Sequence, residues 1–532
     1  MGIKCNNCGG KMVYDIKSKM LKCNYCNEKI SIEDFKQTTN KSEKLEDNSA
    51  DAEDKQLNKE SDNTKVEMSL YKCTECGAEI LSYSETATVY CPYCNKQTFL
   101  QEESQTEQID KIIPFKKDKK DMKKFYGNYI KKKKFVPKDF KDPQKVEEFR
   151  GIYIPHFMYT VEPPTEPINV KGTKNYTSGS YDYHEEYNIE AKIDKNIDDI
   201  TFDASEAFDD TISSQIAPFK IGEVTEFNEG YIAGFYADKE TVNPEKYNES
   251  VKDIANEMVI GAIEDSDSMV ITPPKTRPEY KIKNIKKAFF PVWFMTYRNK
   301  DRVGYSVANG QTGKMTMDIP VDLKSFFTTV GILSVIFSAI FTFLFSTIFA
   351  SFSASSISNV SSIFLIISSF ILFFMGSNIY KKDNHIYKTG GKILASYKAN
   401  TTTQKVVKWL VLIVFLLPFS SVFLFLFSIL SSLMPLVTVV VSAVIYILLI
   451  SKSFKLKNKK ITSCLILGLI LGIITGMLGI IAPSADELYY GMSILNILGI
   501  IANSFVCIKE FNELTTRPVP NFFKREGADN RE

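Results

Sequence analysis

Two stretches of this chain, "KCNNCGGKMVYDIKSKMLKCNYC" from Lys4 and "KCTECGAEILSYSETATVYCPYC" from Lys72, carry one pattern: C-x2-C, fourteen residues, C-x2-C. Cys5, Cys8, Cys23 and Cys26 map onto Cys73, Cys76, Cys91 and Cys94 at a constant offset of 68. Chance is a poor explanation for two copies with identical spacing. Two knuckles on adjacent hairpins supply the four tetrahedral thiolates of a structural zinc site. Gly9, Gly77, Asn27 and Asn95 follow the second cysteine of each knuckle, and these residue types tolerate the positive φ that such a turn favours. Fourteen residues suffice for strand, turn and strand, and "MVYDIKSKMLKC" reads that way with "DIKSK" as the turn. The expected cofactor is zinc, held at two four-cysteine sites. Four thiolates close the coordination shell, which makes the metal structural rather than catalytic. A ribbon this small draws its folding energy from the metal. A redox role is disfavoured, because no βαβ context surrounds either C-x2-C.

Whole-chain averages hide a sharp division. An apolar content of 44% and a net charge of +2 resemble an ordinary soluble protein. Residues 1–324, however, are rich in Lys, Asp and Glu, and residues 325–508 in Ile, Leu, Phe, Val and Ser. Near-zero net charge points to no partner class, so charge is informative only locally. The two remaining cysteines, Cys464 and Cys507, lie in apolar runs and read as small hydrophobes. "MGIKCNNCGG" lacks the apolar core of a secretory signal and the Ser or Thr of a myristoylation site. The expected compartment for the cysteines is the reducing cytoplasm, where metal binding is the default reading of such spacings.

The expected organisation is multidomain. Ribbon 1 spans 1–35, a polar linker 36–67, and ribbon 2 68–100. A cytoplasmic α+β domain follows over 101–324, then a transmembrane region over 325–508 and a cytoplasmic tail over 509–532. The linker has too few apolar side chains to repay ordering entropy and reads as disordered, leaving the ribbons flexibly tethered. In "DKKDMKKFYGNYIKKKK" (118–134), Met122, Phe125, Tyr126, Tyr129 and Ile130 share one helical face opposite the lysines. That helix can pack by its aromatic side with solvated lysines, bind anionic lipid, or contact phosphate backbone. "RGIYIPHFMYTV" is strand-like. "NPEKYNESVKDIANEMVIGAI" is a helix with Asn243 as cap and Pro244 at its first position. "KAFFPVWFMTY", "VGYSVAN" and "GKMTMDIP" form a short meander. "NGQTGK" (309–314) lacks phosphate-loop spacing and leads into a strand, so it reads as a hairpin turn. His156, His184 and His385 are scattered. No catalytic set emerges, and a non-enzymatic protein is expected.

No charged residue occurs between Lys324 and Lys381, and that uncharged length exceeds one span of about twenty residues. Divided at "SFSASSISN" and near Pro435, the apolar half gives an all-α region of six spans, about 326–350, 358–380, 409–430, 435–451, 461–482 and 488–508. Seven lysines fall in 381–408 and five in 452–460, whereas the alternate loops have no Lys or Arg. The expected location is the cell membrane, multi-pass, with both termini cytoplasmic. The spans place no Asp, Glu, Lys, Arg or His near their centres. Asn496 and Asn503 are the strongest polar candidates, and "GLILGIITGMLG" (468–479) offers small residues for close helix packing. An anchoring bundle is favoured over transport.

Several stretches carry a resemblance: "IIPFKKDKKDMKKF", "KKFVPKDF", "RGIYIPHFMYT", "DASEAFDDTISSQIAPF", "GYIAGFYAD", "FFPVWFMTYRNK" and "NGQTGKMTMDIP", in order over about residues 70–320. The chain resembles bacterial zinc-ribbon membrane proteins of Gram-positive genomes, some encoded beside phage-shock-type envelope-stress proteins. The resemblance implies a membrane-anchored scaffold that recruits protein partners, possesses no established enzyme activity and supplies no catalytic residues. The expected function is a non-enzymatic integral membrane protein that displays structural zinc ribbons as protein-docking modules. A membrane-tethered nucleic-acid-binding protein and a small-molecule channel or transporter are the alternatives. The expected partners are the lipid bilayer and cytoplasmic or membrane proteins, with nucleic acid second and no small-molecule substrate.

Overall fold

The computed structural model describes residues 3–35, 65–82, 90–97, 99–142, 148–267, 269–274, 276–332, 336, 354–385, 434–456 and 458–522. The first ribbon is built as its sequence implies. Strands β1 (Met12–Asp15) and β2 (Met20–Cys23) pair antiparallel from Met12 opposite Cys23 to Asp15 opposite Met20. Strand β3 (Lys29–Ile30) adds to β2. Asp15 closes the turn by accepting a hydrogen bond from Ser18 Oγ at 2.6 Å.

Three further strands frame the second cysteine set: β4 (Lys65–Cys73), β5 (Glu79–Ser82) and β6 (Phe99–Gln108). They run into a mixed α/β domain. In chain order this comprises β7 (Lys111–Ile112), α1 (Lys119–Lys131), β8 (Arg150–Glu162), β9 (Ile168–Ser178), β10 (Tyr181–Ala191), β11 (Ile197–Asp203) and α2 (Asp210–Ile216). Next come β12 (Thr225–Glu226), β13 (Tyr236–Asp238), α3 (Asn248–Asp267), β14 (Val270–Thr272), β15 (Lys281–Asn299), β16 (Arg302–Asn309) and β17 (Met315–Met317). A 12-stranded sheet runs in the order β12-β7-β15-β8-β13-β5-β4-β6. Strand β11 lies on β8, and β16 connects β15 to β17. Strands β9, β10 and β14 form a separate three-stranded sheet.

Strands β8 and β15 are central because their apolar runs are buried on both faces, as parallel or sandwich-core strands require. On one face, Tyr153, Phe289 and Trp293 pack with Phe115 and with Met122, Tyr126 and Ile130 of α1. On the other, Ile152, Ile154, Val292 and Phe294 pack with Val303, Tyr305 and Val307. Helix α1 therefore buries its aromatic side and exposes lysines, the first of the three readings of its sequence. Asp118 and Asp121 cap it reciprocally. Helix α3 covers a third core with Val251, Ala255, Val259 and Ile263. Asn243 caps a short 3-10 turn, Pro244–Tyr247, just before it. The expected meander is present as β15, β16 and β17. The "NGQTGK" hairpin is held by Asn309 N–H donating to Lys314 O at 2.9 Å and by Gly313 at φ +80°.

Two expected boundaries are corrected. Ribbon 2 is not a separate small β domain over 68–100: β4 and β5 are strands of the large sheet, through β5 on β13. Val66, Met68, Leu70 and Leu81 sit in the same core as α1, so the apolar residues of β4 and β5 fuse this ribbon to the domain. Nor is ribbon 1 loose. Tyr14 N–H donates to Ala233 O at 2.9 Å, the Tyr14 and Tyr231 rings meet edge-on at 5.4 Å, and Lys17 pairs with Asp118 at 3.2 Å. Val13 packs so closely on Gly234, itself at φ +88°, that a Cβ there would sit 3.0 Å from Val13 Cγ1. Most of the linker, 36–64, lies outside the described residues, and Lys65–Glu67 begin β4.

In the apolar half, α4 (Ala354–His385), α5 (Met434–Ser453), α6 (Lys459–Ile481) and α7 (Asp486–Leu514) are described, and all four are long and apolar enough to cross a membrane. Of the six expected spans, 409–430 and the greater part of 326–350 lie outside the described residues. The glycines of α6 seat α5. A Cβ at Gly468 would lie 2.5 Å from Tyr446 Oη, at Gly472 2.6 Å from Ser442 Oγ, and at Gly476 2.4 Å from Val439 Cγ2. This is the small-residue contact that lets two backbones approach. Gly472→Leu is expected to lower the stability of the detergent-solubilised chain by about 1–3 kcal/mol, read as a lower denaturation midpoint. Inside the bundle, Asn496 Nδ2 donates to Ser361 Oγ (2.9 Å) and Thr475 Oγ1 (3.2 Å), and Asn503 Nδ2 to Ser368 and Ser369 Oγ (both 2.9 Å).

The expected tail, 509–532, is corrected over its described residues, which end at 522: α7 runs on to Leu514, and β18 (Arg517–Pro518) pairs with β16, placing Arg517 opposite Val303. Where the chain enters the apolar half, Val321 N–H donates to Asn512 Oδ1 at 2.7 Å and Val321 O accepts from Asn512 Nδ2 at 2.9 Å. Arg302 donates to Glu513 O (2.7 Å) and Thr516 O (3.0 Å). The two ends of the apolar half thus meet at one place on the sheet domain.

Candidate metal centres

Each knuckle closes in the same way. Cys5, Cys23, Cys73 and Cys91 donate their N–H to the carbonyl five residues on, at 2.7–2.9 Å, and accept from the N–H four residues on, at 2.8–3.1 Å. The residues making that second bond are Gly9, Asn27, Gly77 and Asn95, at φ +67°, +61°, +76° and +59°. The positive φ expected from residue type is present in all four, and it turns both sulfurs of a knuckle inward.

The result is two groups of four sulfurs, each with all members within 4.8 Å of one another. In the first, Cys5 Sγ lies 3.5 Å from Cys26 Sγ, and Cys8 Sγ 3.5 Å from Cys23 Sγ. In the second, Cys73–Cys94 and Cys76–Cys91 are both 3.6 Å apart. A tetrahedral ion with bonds of about 2.3 Å needs sulfurs about 3.8 Å apart. Both donor sets can therefore hold a metal ion, and eight thiol donors of this softness suit zinc.

The two centres differ in their surroundings. Cys8 and Cys26 are exposed, whereas all four cysteines of the second group are buried. Cys73, Cys76, Cys91 and Cys94 share a core with Ile152, Phe208, Val292 and Phe294. Tyr93, between the last two ligands, is fully buried. It donates to Asp238, which also accepts from Ser205 Oγ. Tyr305 Oη donates to Tyr93 O at 2.9 Å, and Arg298 reaches Cys94 O at 3.3 Å and Glu75 Oε1 at 2.8 Å.

The C-terminal segment completes this second centre. Phe522 N–H donates to Cys76 O at 2.7 Å, and the Phe522 ring meets Tyr93 edge-on at 5.8 Å. Arg517, only 6% exposed, donates to Asp209 Oδ2 at 2.6 Å and Asp318 Oδ2 at 3.1 Å, with its guanidinium 4.7 Å from the Tyr305 ring. None of Arg517, Phe522, Tyr93 or Asp238 stands out in the sequence. The available signal was the aromatic "TTRPVPNFF", an unexpected apolar pattern in a tail.

The two histidines whose side chains are described, His156 and His184, lie apart in separate surroundings. His184 sits on the exposed β9–β10 hairpin, where Nδ1 meets Asn175 Oδ1 at 2.5 Å. His156 is buried, its ring stacked 4.1 Å from Phe290 and Nδ1 3.0 Å from Ile154 O. Burial pushes its pKa down to about 4 from 6.5. A depressed histidine adds stability that is present above pH 6.5 and lost as pH falls through about 4. Asp238 is raised to about 6 from 3.8, chiefly by burial, so its contribution is present below pH 4 and lost as pH rises through 6. The two oppose each other in one window. The difference between wild type and His156→Phe isolates the histidine: the wild type is expected to lose about 3 kcal/mol more between pH 6.5 and pH 4, measured by denaturant titration.

The chain matches the Bacillus subtilis (strain 168) "uncharacterized protein YdjG" with 26% identity over 216 residues, 40% of this chain and 63% of that protein. The match thus spans less than two thirds of that relative's length. No family model and no solved structure matches. The chain is a weak homologue of a Bacillus protein, and its two four-cysteine groups and four apolar helices fit a zinc-ribbon membrane protein.

Proposed function

We propose that this chain is a non-enzymatic, membrane-anchored docking scaffold whose ribbons hold zinc and face the cytoplasm. The carrying observation is the difference between the two ribbons. Ribbon 2 has its metal centre inside the domain core. Ribbon 1 is docked by one side and presents the other, with Cys8 and Cys26 exposed and Tyr25 at 77% exposure. An exposed tyrosine beside a rigid turn is a typical interface anchor. The partner is a protein, in line with the resemblance to envelope-stress-associated ribbon proteins of Gram-positive bacteria.

The topology supports this reading. A chain that enters and leaves the apolar half side by side, clamped by Val321 and Asn512, crosses the membrane an even number of times, as six spans would. The lysine-rich loops and the reduced thiols favour the cytoplasm for that side. Anchoring is favoured over transport because the amide nitrogens of Asn496 and Asn503 bond to neighbouring helices. The test is affinity capture from membranes with Tyr25→Ala, whose metal ligands are intact. A captured partner that disappears with Tyr25→Ala supports the reading, and an unchanged partner set removes ribbon 1 from it.

A further inference from the structure

Eight lysines and one acidic residue fall between Lys123 and Lys141. Four of the lysines, Lys131–Lys134, are consecutive and exposed at the end of α1. No ion pair holds any of these four among the described residues. Lys133 Nζ instead lies 5.1 Å from the Tyr129 ring.

The next residue fixes where this run sits. Phe135 has φ +56°, a left-handed conformation unfavourable for a bulky side chain. Two contacts hold it there: Asp322 N–H donates to Phe135 O at 2.7 Å, and the Phe135 ring meets Phe326 edge-on at 5.2 Å. Phe326 lies in the helical segment 323–332, where the apolar half begins. Its neighbour Phe327 stacks on Phe505 of α7 at 5.9 Å, and Lys509 Nζ lies 5.6 Å from that same Phe505 ring. Phe326, Phe327, Phe505 and Lys509 thus mark one level, the boundary between apolar helices and water. Four lysines within four residues of Phe135 are at most roughly 14 Å from it. That is close to the screening distance of about 8–10 Å at physiological salt.

We infer that Lys131–Lys134 form a binding site for anionic phospholipid headgroups at the membrane surface. The site rests on the reading that the apolar half spans a bilayer, not on the docking role of ribbon 1. Packing of the aromatic face of α1 and binding of lipid are compatible, because they use opposite sides of the same segment. Charge complementarity selects the anionic headgroup, and attachment to Phe326 supplies the membrane as its source.

The full chain, purified in a non-ionic detergent, is titrated with phosphatidylglycerol, phosphatidylcholine or soluble glycerol phosphate, and bound lipid is counted by native mass spectrometry. Phosphatidylglycerol is expected to bind at least tenfold more tightly than phosphatidylcholine. A lysine near a charged surface contributes about fivefold in affinity, so combining Lys131→Gln, Lys132→Gln, Lys133→Gln and Lys134→Gln is expected to weaken that binding at least tenfold. Metal content equal to wild type shows that the variant is folded, and Lys171→Gln with Lys174→Gln on the distant hairpin serves as the charge control. Equal binding of the two lipids, or wild-type binding by the quadruple variant, would overturn the site. Glycerol phosphate binding as tightly as phosphatidylglycerol would overturn its membrane source. Duplex DNA binding through these lysines without a lipid preference would replace it with the nucleic-acid reading.

Discussion

Cys91→Ser in the full chain is expected to unfold the sheet domain, whereas Cys8→Ser is expected to leave it folded. The eight cysteines look equivalent in sequence, but their surroundings are not. Cys91 is 1% exposed and shares a core with Ile152, Val292 and Phe294 of the two central strands. A structural zinc site contributes about 10–16 kcal/mol of apparent folding energy, against a net domain stability of about 5–15 kcal/mol. Losing that centre therefore removes as much energy as the domain has to spare. Cys8 is exposed, and ribbon 1 meets the domain at its edge, through Tyr14 on Tyr231 and Ala233, Val13 on Gly234 and Lys17 on Asp118, with none of its cysteines in the core around β8 and β15. Hydrogen exchange of both variants decides the matter. Cys91→Ser should lose protection in β8 and β15, and Cys8→Ser only over residues 3–35. Equal, local losses in both would refute the fusion of ribbon 2 with the core.

Arg517→Met is expected to cost about 3–5 kcal/mol, the usual consequence of removing one partner from a buried ion pair. The substitution keeps much of the apolar stem but leaves Asp209 and Asp318 without their shared cation. It also weakens the seat of β18 on β16 and the closure of Phe522 over Cys76. For a domain of this size the melting midpoint should fall by roughly 10 °C. New proteolytic cleavage between residues 515 and 522 should accompany the fall. Adding Asp209→Asn and Asp318→Asn should restore part of the loss, because neither side chain then carries a charge that has lost its cation, while an amide oxygen can still accept the backbone N–H bonds that Asp209 and Asp318 hold.

Much of the four-cysteine geometry is legible in the sequence because a knuckle is a local object. Two cysteines, a turn and a positive-φ residue lie within five positions, so residue type alone predicts Gly9, Asn27, Gly77 and Asn95 in left-handed backbone. The long apolar helices are legible for a similar reason: uncharged length marks helices apolar enough to cross a membrane, and the glycines at 468, 472 and 476 mark the contact of α6 with α5. The relation of each ribbon to the rest was not. Strand β5 pairs with β13, Ser82 opposite Tyr236 and Ile80 opposite Asp238, and no local pattern announces that pairing. Arg517 reaches Asp209 across 308 positions, and a single arginine after an apolar helix reads as an ordinary charge flanking a membrane span. Helix α1 could be read either as packed or as surface-seeking, because an amphipathic pattern identifies two faces without saying what meets them.

Two metal centres with different duties are tested most directly by metal counting on the intact chain. Chain purified in detergent without added metal should contain two zinc ions. A chromogenic chelator should withdraw the first, from Cys5, Cys8, Cys23 and Cys26, while the domain stays folded. The second, from Cys73, Cys76, Cys91 and Cys94, should leave only at the rate at which the domain unfolds. Release of both ions in one phase, or a chain that is folded and metal-free, would contradict this division of duties.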